Sequence, residues 1–125
     1  MNAYFLVFVG GGIGSVLRLA VYRLAGAVLP AQFPYGTLIV NVAGGLAIGA
    51  LAGWFAGREA TSPAASLLLL TGLLGGFTTF SAFSLDAVAL WQRGAQSAAA
   101  VYVLASVVLS IAGTIAGVAA VRAIG

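Results

Sequence analysis

Charge is so sparse in this chain that its few charged positions mark where it can leave a lipid bilayer. Of 125 residues, 62% are hydrophobic and only 6% are charged. Arg18, Arg23, Arg58, Arg93 and Arg122 face just two acids, Glu59 and Asp86. Four apolar stretches result, at about residues 3–22, 36–56, 64–91 and 97–121. Each is near the ~20 residues that a ~30 Å hydrocarbon core requires. Soluble domains of this size do not have this composition. In lipid a continuous helix satisfies its own backbone, and open sheets do not. The chain therefore reads as an all-α integral membrane protein, with one four-helix transmembrane domain over residues 1–125.

The same composition removes whole classes of function. Cysteine and histidine are absent, which excludes a disulfide, a thiol nucleophile, a thiolate metal site and a histidine base. Five scattered arginines make no basic patch for nucleic acid. No basic residue precedes the first apolar run, so a cleaved signal peptide is not expected. Trp54, Trp91, Tyr22 and Tyr35 lie near span ends, where amphipathic rings sit at the headgroups. Orientation is weakly encoded. Arg58 and Arg122 fall on one side of the membrane, with Arg23, Arg93 and nearby Arg18 on the other. Insertion direction follows a bias in such loop charges, and this chain has almost none. Copies inserted both ways could then pair as an antiparallel dual-topology homodimer through one self-complementary surface.

The third span contains its own contradiction. Gly75-Gly76-Phe77-Thr78-Thr79-Phe80 is poor helix material, with two glycines and two β-branched residues, so a break is expected at 75–80. Residues 64–74 alone reach ~16 Å, about half the core. A broken backbone in hydrocarbon persists mainly where it lines a cavity or an ion site. Freed carbonyls from Gly75 to Thr78 suit a hard cation such as Na⁺. Phe80 and Phe83 share a helix face beyond the break. Their ring edges carry positive potential, so they either receive a small anion or simply pack. In the second span Thr37, Asn41 and Gly45 recur every four residues. Asn41 either donates to an anion or glues two helices together. In the fourth span Tyr102, Ser106, Ser110 and Thr114 form a hydroxyl stripe. We assign Tyr102 and Ser106 to a polar track, and Ser110 and Thr114 to packing beside Gly113 and Gly117. Gly10-Gly11-Gly12-Ile13-Gly14 lacks the strand–helix context of a nucleotide loop and reads as close helix packing. Arg58 and Glu59 read as solvated. Arg18 either draws anions to a vestibule or snorkels. Asp86 is either a functional acid or a helix-end residue.

These residues together resemble a known family. Gly11-Gly12-Ile13-Gly14-Ser15-Val16-Leu17-Arg18, Gly36-Thr37-Leu38-Ile39-Val40-Asn41 and Gly72-Leu73-Leu74-Gly75-Gly76-Phe77-Thr78-Thr79-Phe80-Ser81-Ala82-Phe83-Ser84 are similar to motifs of the Fluc/CrcB fluoride channels of microbes. The last motif is highly specific, and the likeness covers nearly the whole chain. The resemblance implies a dual-topology homodimer in the inner (plasma) membrane with two pores that leak fluoride passively from the cytoplasm and relieve its toxicity. It implies that Phe80, Phe83 and Asn41 meet fluoride, and that Tyr102, Ser106 and Thr37 continue the track. Arg18 would sit near the vestibule. Carbonyls of Gly75 and Thr78 from both subunits would hold a central structural Na⁺. The family often has Glu where this chain has Asp86, so the acid is kept with a shorter reach. Phe77 stands where leucine is common.

Other classes fit less well. A four-span drug/proton antiporter would want an acid in its first span, and residues 1–22 have none. A non-transporting scaffold has no use for a broken span and two polar stripes. An enzyme would have only Glu59 and Asp86 as acid or base. The charge balance makes a direct prediction. A tag on the C-terminus is expected to be reached by impermeant reagent from both sides of the cell membrane, whereas one-sided labelling contradicts dual topology.

Overall fold

The computed structural model describes residues 2–59 and 61–125. Four apolar helical spans run Ala3–Val28, Tyr35–Ala56, Pro63–Gln92 and Gln96–Ile124. The first is α1 (Ala3–Val28), started by the Asn2 side chain, which accepts from the Tyr4 N–H at 2.8 Å. It continues past the expected end at Tyr22, because an exposed Arg23 can extend its guanidinium to water without ending a helix. The end comes at Leu29, which is extended (φ −118°, ψ 153°). The proline that follows disfavours helical geometry there. The second span is α2 (Tyr35–Ala56) and the last is α6 (Gln96–Ile124). Successive spans run antiparallel. Arg23 and Arg93 thus lie at one end of the bundle, and Arg58 and Arg122 at the other.

The third span is the irregular one. It opens with α3 (Pro63–Ser66), where Pro63 takes the first turn. It widens into a π-helix over Leu67–Leu74 and returns to α-geometry in α4 (Gly75–Phe77). It resumes as α5 (Phe80–Gln92). The break is therefore narrower than the expected 75–80. Gly75 is helical (φ −61°, ψ −38°), and only Thr78 (ψ 159°) and Thr79 (φ −153°, ψ 123°) are extended. The β-branched pair leaves the helix, and the glycines do not.

The glycines act in packing instead. A Cβ on Gly76 would strike the Gly11 carbonyl, and one on Gly14 would strike the Leu73 carbonyl. Without these side chains α1 lies directly against the π-helix and α4. The most extensive contact pairs α2 with α6, where Gly49 and Gly117 each meet the other helix's backbone. Close approach of this kind substitutes for a hydrophobic driving force that lipid cannot supply. Large apolar side chains such as Phe8, Leu24, Val88 and Leu104 stay on the subunit's surface. The buried cluster is small: Phe83, Leu90, Ala99 and Tyr102. Arg58 is exposed, as its solvated reading expects. Its guanidinium carbon stacks 3.7 Å from the centre of the Trp54 ring, at the membrane end of α2.

Candidate functional site

A helix that stops in mid-membrane leaves backbone groups without partners, and Asn41 answers this at the break. Its side-chain oxygen accepts from the Thr79 N–H at 2.8 Å, and its Nδ2 donates to the Thr79 carbonyl at 2.9 Å. Both backbone polar groups of Thr79 are held by one side chain on α2. The pairing fixes the amide's orientation, since a flipped amide would oppose two donors. The sequence reading set Asn41 between helix glue and anion donor. The structure makes it a backbone clamp with one amide N–H left over. Thr79 also caps α5, its hydroxyl accepting from the Ala82 N–H at 3.1 Å. Thr78 closes the other side, with its N–H and hydroxyl both donating to Leu74 O at 2.9 Å. A Cβ on Gly44 would strike the Thr78 side chain, so α2 must offer glycine where the break passes.

Diverting these donors frees carbonyls. In a continuous helix the Thr79 N–H would serve Gly75, and the Ala82 N–H would serve Thr78. Here both go elsewhere. Neither carbonyl keeps its donor from four residues on, and the Thr78 carbonyl accepts no hydrogen bond among the described residues. Hard carbonyl oxygens whose helical donors are diverted match the donor set that Na⁺ prefers.

Beyond the break a row of rings runs inward. Phe80 meets Phe83 edge to face (5.4 Å, 89°), Phe83 meets Tyr102 (5.4 Å, 72°), and Tyr102 meets Phe33 (5.5 Å, 90°). Phe80 is 80% exposed, whereas Phe83 is buried and Tyr102 wholly so. Phe80 and Phe83 line a cavity of about 370 Å³ with Asn41, Thr79 and Ser106. Asn41 and Thr79 are tied to each other at this cavity, and one buried hydroxyl on its wall is not tied to anything. Ser106 Oγ is buried and has no hydrogen-bond partner among the described residues. An orphaned hydroxyl in apolar surroundings costs about 1–3 kcal/mol, and a ligand that accepts its proton removes that cost.

At the inner end of the ring row three oxygen groups converge. Asp86 Oδ2 accepts from Thr37 Oγ1 at 2.7 Å and from the Tyr102 hydroxyl at 3.0 Å. Thr37 Oγ1 also lies 3.4 Å from the Tyr22 hydroxyl. Thr37 has a single proton and gives it to the carboxylate, so Tyr22 is the donor in that contact. No arginine pairs with Asp86 among the described residues, and two hydroxyls stabilise it. The sequence joined Thr37 to Tyr102 but left Asp86 undecided. Its spacing from Phe83 and Leu90, three and four residues, places all three on one helix face, and Phe83 and Leu90 are buried. Tyr22, read as an interfacial ring, belongs to this polar end as well. Arg18 lies one turn before Tyr22, half-buried, and lines neither this cavity nor the Asp86 region. Ser110 borders the ring-lined cavity, and Thr114 Oγ1 donates to its carbonyl at 3.0 Å.

Comparison with known proteins decides the family. The model of CrcB-like protein, Camphor Resistance (CrcB), matches residues 5–118. The chain belongs to the CrcB-like family. A relative from Rhodopseudomonas palustris (strain BisB5) is 52% identical over 97% of this chain and 98% of its own length. One from Methylobacterium nodulans is 55% identical, over 96% of both chains. One from Nitrobacter hamburgensis is 46% identical, over 95% of this chain and 96% of its own. The first two carry the name fluoride-specific ion channel FluC and the third the name FluC 2. The four spans of this family member make it a multi-pass membrane protein.

The clamp makes its own prediction. Asn41→Leu leaves both Thr79 groups unpaired in the membrane, at about 1–3 kcal/mol each. Hydrogen exchange at the Thr79 amide is expected to quicken by at least tenfold, with exchange in α6 unchanged. Unchanged protection at Thr79 would show that the clamp is not needed.

Proposed function

We propose that this chain is the subunit of a passive, fluoride-selective channel that lets fluoride leave the cytoplasm. One observation carries the reading: a buried hydroxyl proton with no acceptor, Ser106, faces a cavity walled by phenylalanine rings. The names of the relatives point to the same ion. Fluoride is a compact and strong hydrogen-bond acceptor. A narrow path for it needs donors that replace water without holding the ion too tightly. Ring edges at Phe80 and Phe83, the remaining Asn41 N–H, and the hydroxyls of Ser106, Tyr102 and Thr37 form such a series. No step consumes another reactant, so flux runs down the fluoride gradient. The chain is not an enzyme. The proton-exchanging antiporter is not retained, because α1 carries no acid and the relatives are named as ion channels.

The channel works as an antiparallel homodimer in this proposal. The cavity that holds Phe80 has one wall missing, and Phe80 projects from it 80% exposed. A second, inverted copy supplies that wall, and the near-even arginine distribution permits its insertion. Pairing the copies across the break brings together the carbonyls of Gly75 and Thr78 from each subunit, which have lost their usual helical donors. Na⁺ held by those oxygens would neutralise converging dipoles and tie the subunits. Arg18 belongs to the wider approach to the pore.

Liposomes holding the purified protein, read with a fluoride electrode, test the function. Fluoride efflux is expected, with chloride efflux far slower. Equal rates for the two ions, or no fluoride efflux, would sink the proposal. Phe80→Ile keeps an apolar surface and removes the ring edge, a contribution of about 0.5–1.5 kcal/mol. Its fluoride flux is expected to fall by about tenfold while the protein still elutes as a dimer.

A further inference from the structure

Two cavities reach Asp86, and residues 31–34 of the α1–α2 loop contribute to both. They differ in charge. The larger, about 270 Å³, is lined by Tyr22, Phe33, Tyr35 and Thr37 and has Asp86 as its single charged residue. The smaller, about 140 Å³, is lined by Ala89, Leu90 and Gln32 and carries two charges, Asp86 and Arg93. Asp86, Leu90 and Arg93 follow one face of α5 at helical spacing, and Arg93 caps its C-terminal end. Seven residues place Arg93 about 10 Å further along the axis than Asp86. One guanidinium nitrogen, Nη2, donates to the Gln32 carbonyl across the cavity. The bond ties the cation to the loop and keeps it at the wall of this cavity, where an untethered arginine would extend into bulk water.

This arrangement has a consequence for an anion, given the fluoride-channel reading above. An ion leaving the polar track by the larger cavity meets only the field of a carboxylate. By the smaller cavity it meets Arg93 about one Debye length from Asp86, since that length is about 10 Å at 0.1 M salt. We propose that the Arg93 cavity is the fluoride mouth at this end of the pore. Arg93 there collects the anion and offsets the repulsion of Asp86. The guanidinium acts by charge. Its bond to Gln32 positions it and does not itself carry the ion.

Ionic strength separates this role from a structural one. Wild-type protein, Arg93→Lys and Arg93→Gln are reconstituted in liposomes, and fluoride efflux is read at low ionic strength and near 1 M with an impermeant salt. Charge-driven collection raises encounter rates by about tenfold or more and is lost to screening. Arg93→Gln is therefore expected to fall about tenfold below wild type at low ionic strength and to converge on it near 1 M. Arg93→Lys keeps the charge and is expected to match wild type in both. Two results overturn the proposal. One is wild-type flux from Arg93→Gln at low ionic strength. The other is an equal loss in both variants at both salts, which would make Arg93 a tether for the loop alone. Absence of flux from the wild type would instead overturn the channel reading beneath it.

Discussion

The two hydrogen bonds between the Asn41 amide and the Thr79 peptide are the interaction on which the rest depends. Hydrocarbon offers no water to a peptide group that has left its helix, so an open break is costly there. Asn41 meets that requirement within the subunit, from a neighbouring helix. Everything placed at the break follows from it. Because Thr79 bonds sideways, the carbonyl of Gly75 loses its helical donor. Because Thr79 is extended, its hydroxyl can cap α5 and start that helix on a face that buries Phe83 and leaves Phe80 open.

The polar end of the site depends on a different balance. Asp86 stands half-buried with two hydroxyl donors and no paired cation among the described residues. An ion pair there would have locked the track around a fixed charge. Hydroxyls stabilise the carboxylate, at about 1.5–3 kcal/mol for each bond to a charged group, without setting a fixed opposite charge beside it. Tyr102 is common to both regions. Its ring continues the aromatic row, and its hydroxyl reaches Asp86.

Much of this was legible in the chain itself. Four spans follow from apolar length and sparse charge, and their ends lie close to the observed ones except in α1, which runs on to Val28 before Pro30. The glycine run in α1 was read as packing, and Gly10 and Gly14 do meet the third span's backbone. The expected break includes Thr78 and Thr79 but is drawn too wide, since Gly75–Phe77 stay helical. Glycine's flexibility was weighed as a helix breaker, whereas in this membrane its missing side chain decides its use. Asn41 was singled out, but its bond to Thr79 joins residues 38 apart, and no local pattern encodes that distance. Asp86 was undecided for the same reason, since Thr37 and Tyr102 come from two other helices. Arg93 looked like a loop charge because its partner is a backbone carbonyl, which sequence does not mark.

The widened turn at Leu67–Leu74 bears on how such a break can be aimed. A π-turn holds more residues than an α-turn, so it resets the angular phase between the helix before it and the residues after it. Upstream of the turn the chain is set by its packing on α1. Downstream, Thr78 and Thr79 must face Gly44 and Asn41 on α2. One uniform helix would tie these two directions together. The wide turn uncouples them, so the break can be oriented toward α2 while the seam with α1 stays as it is.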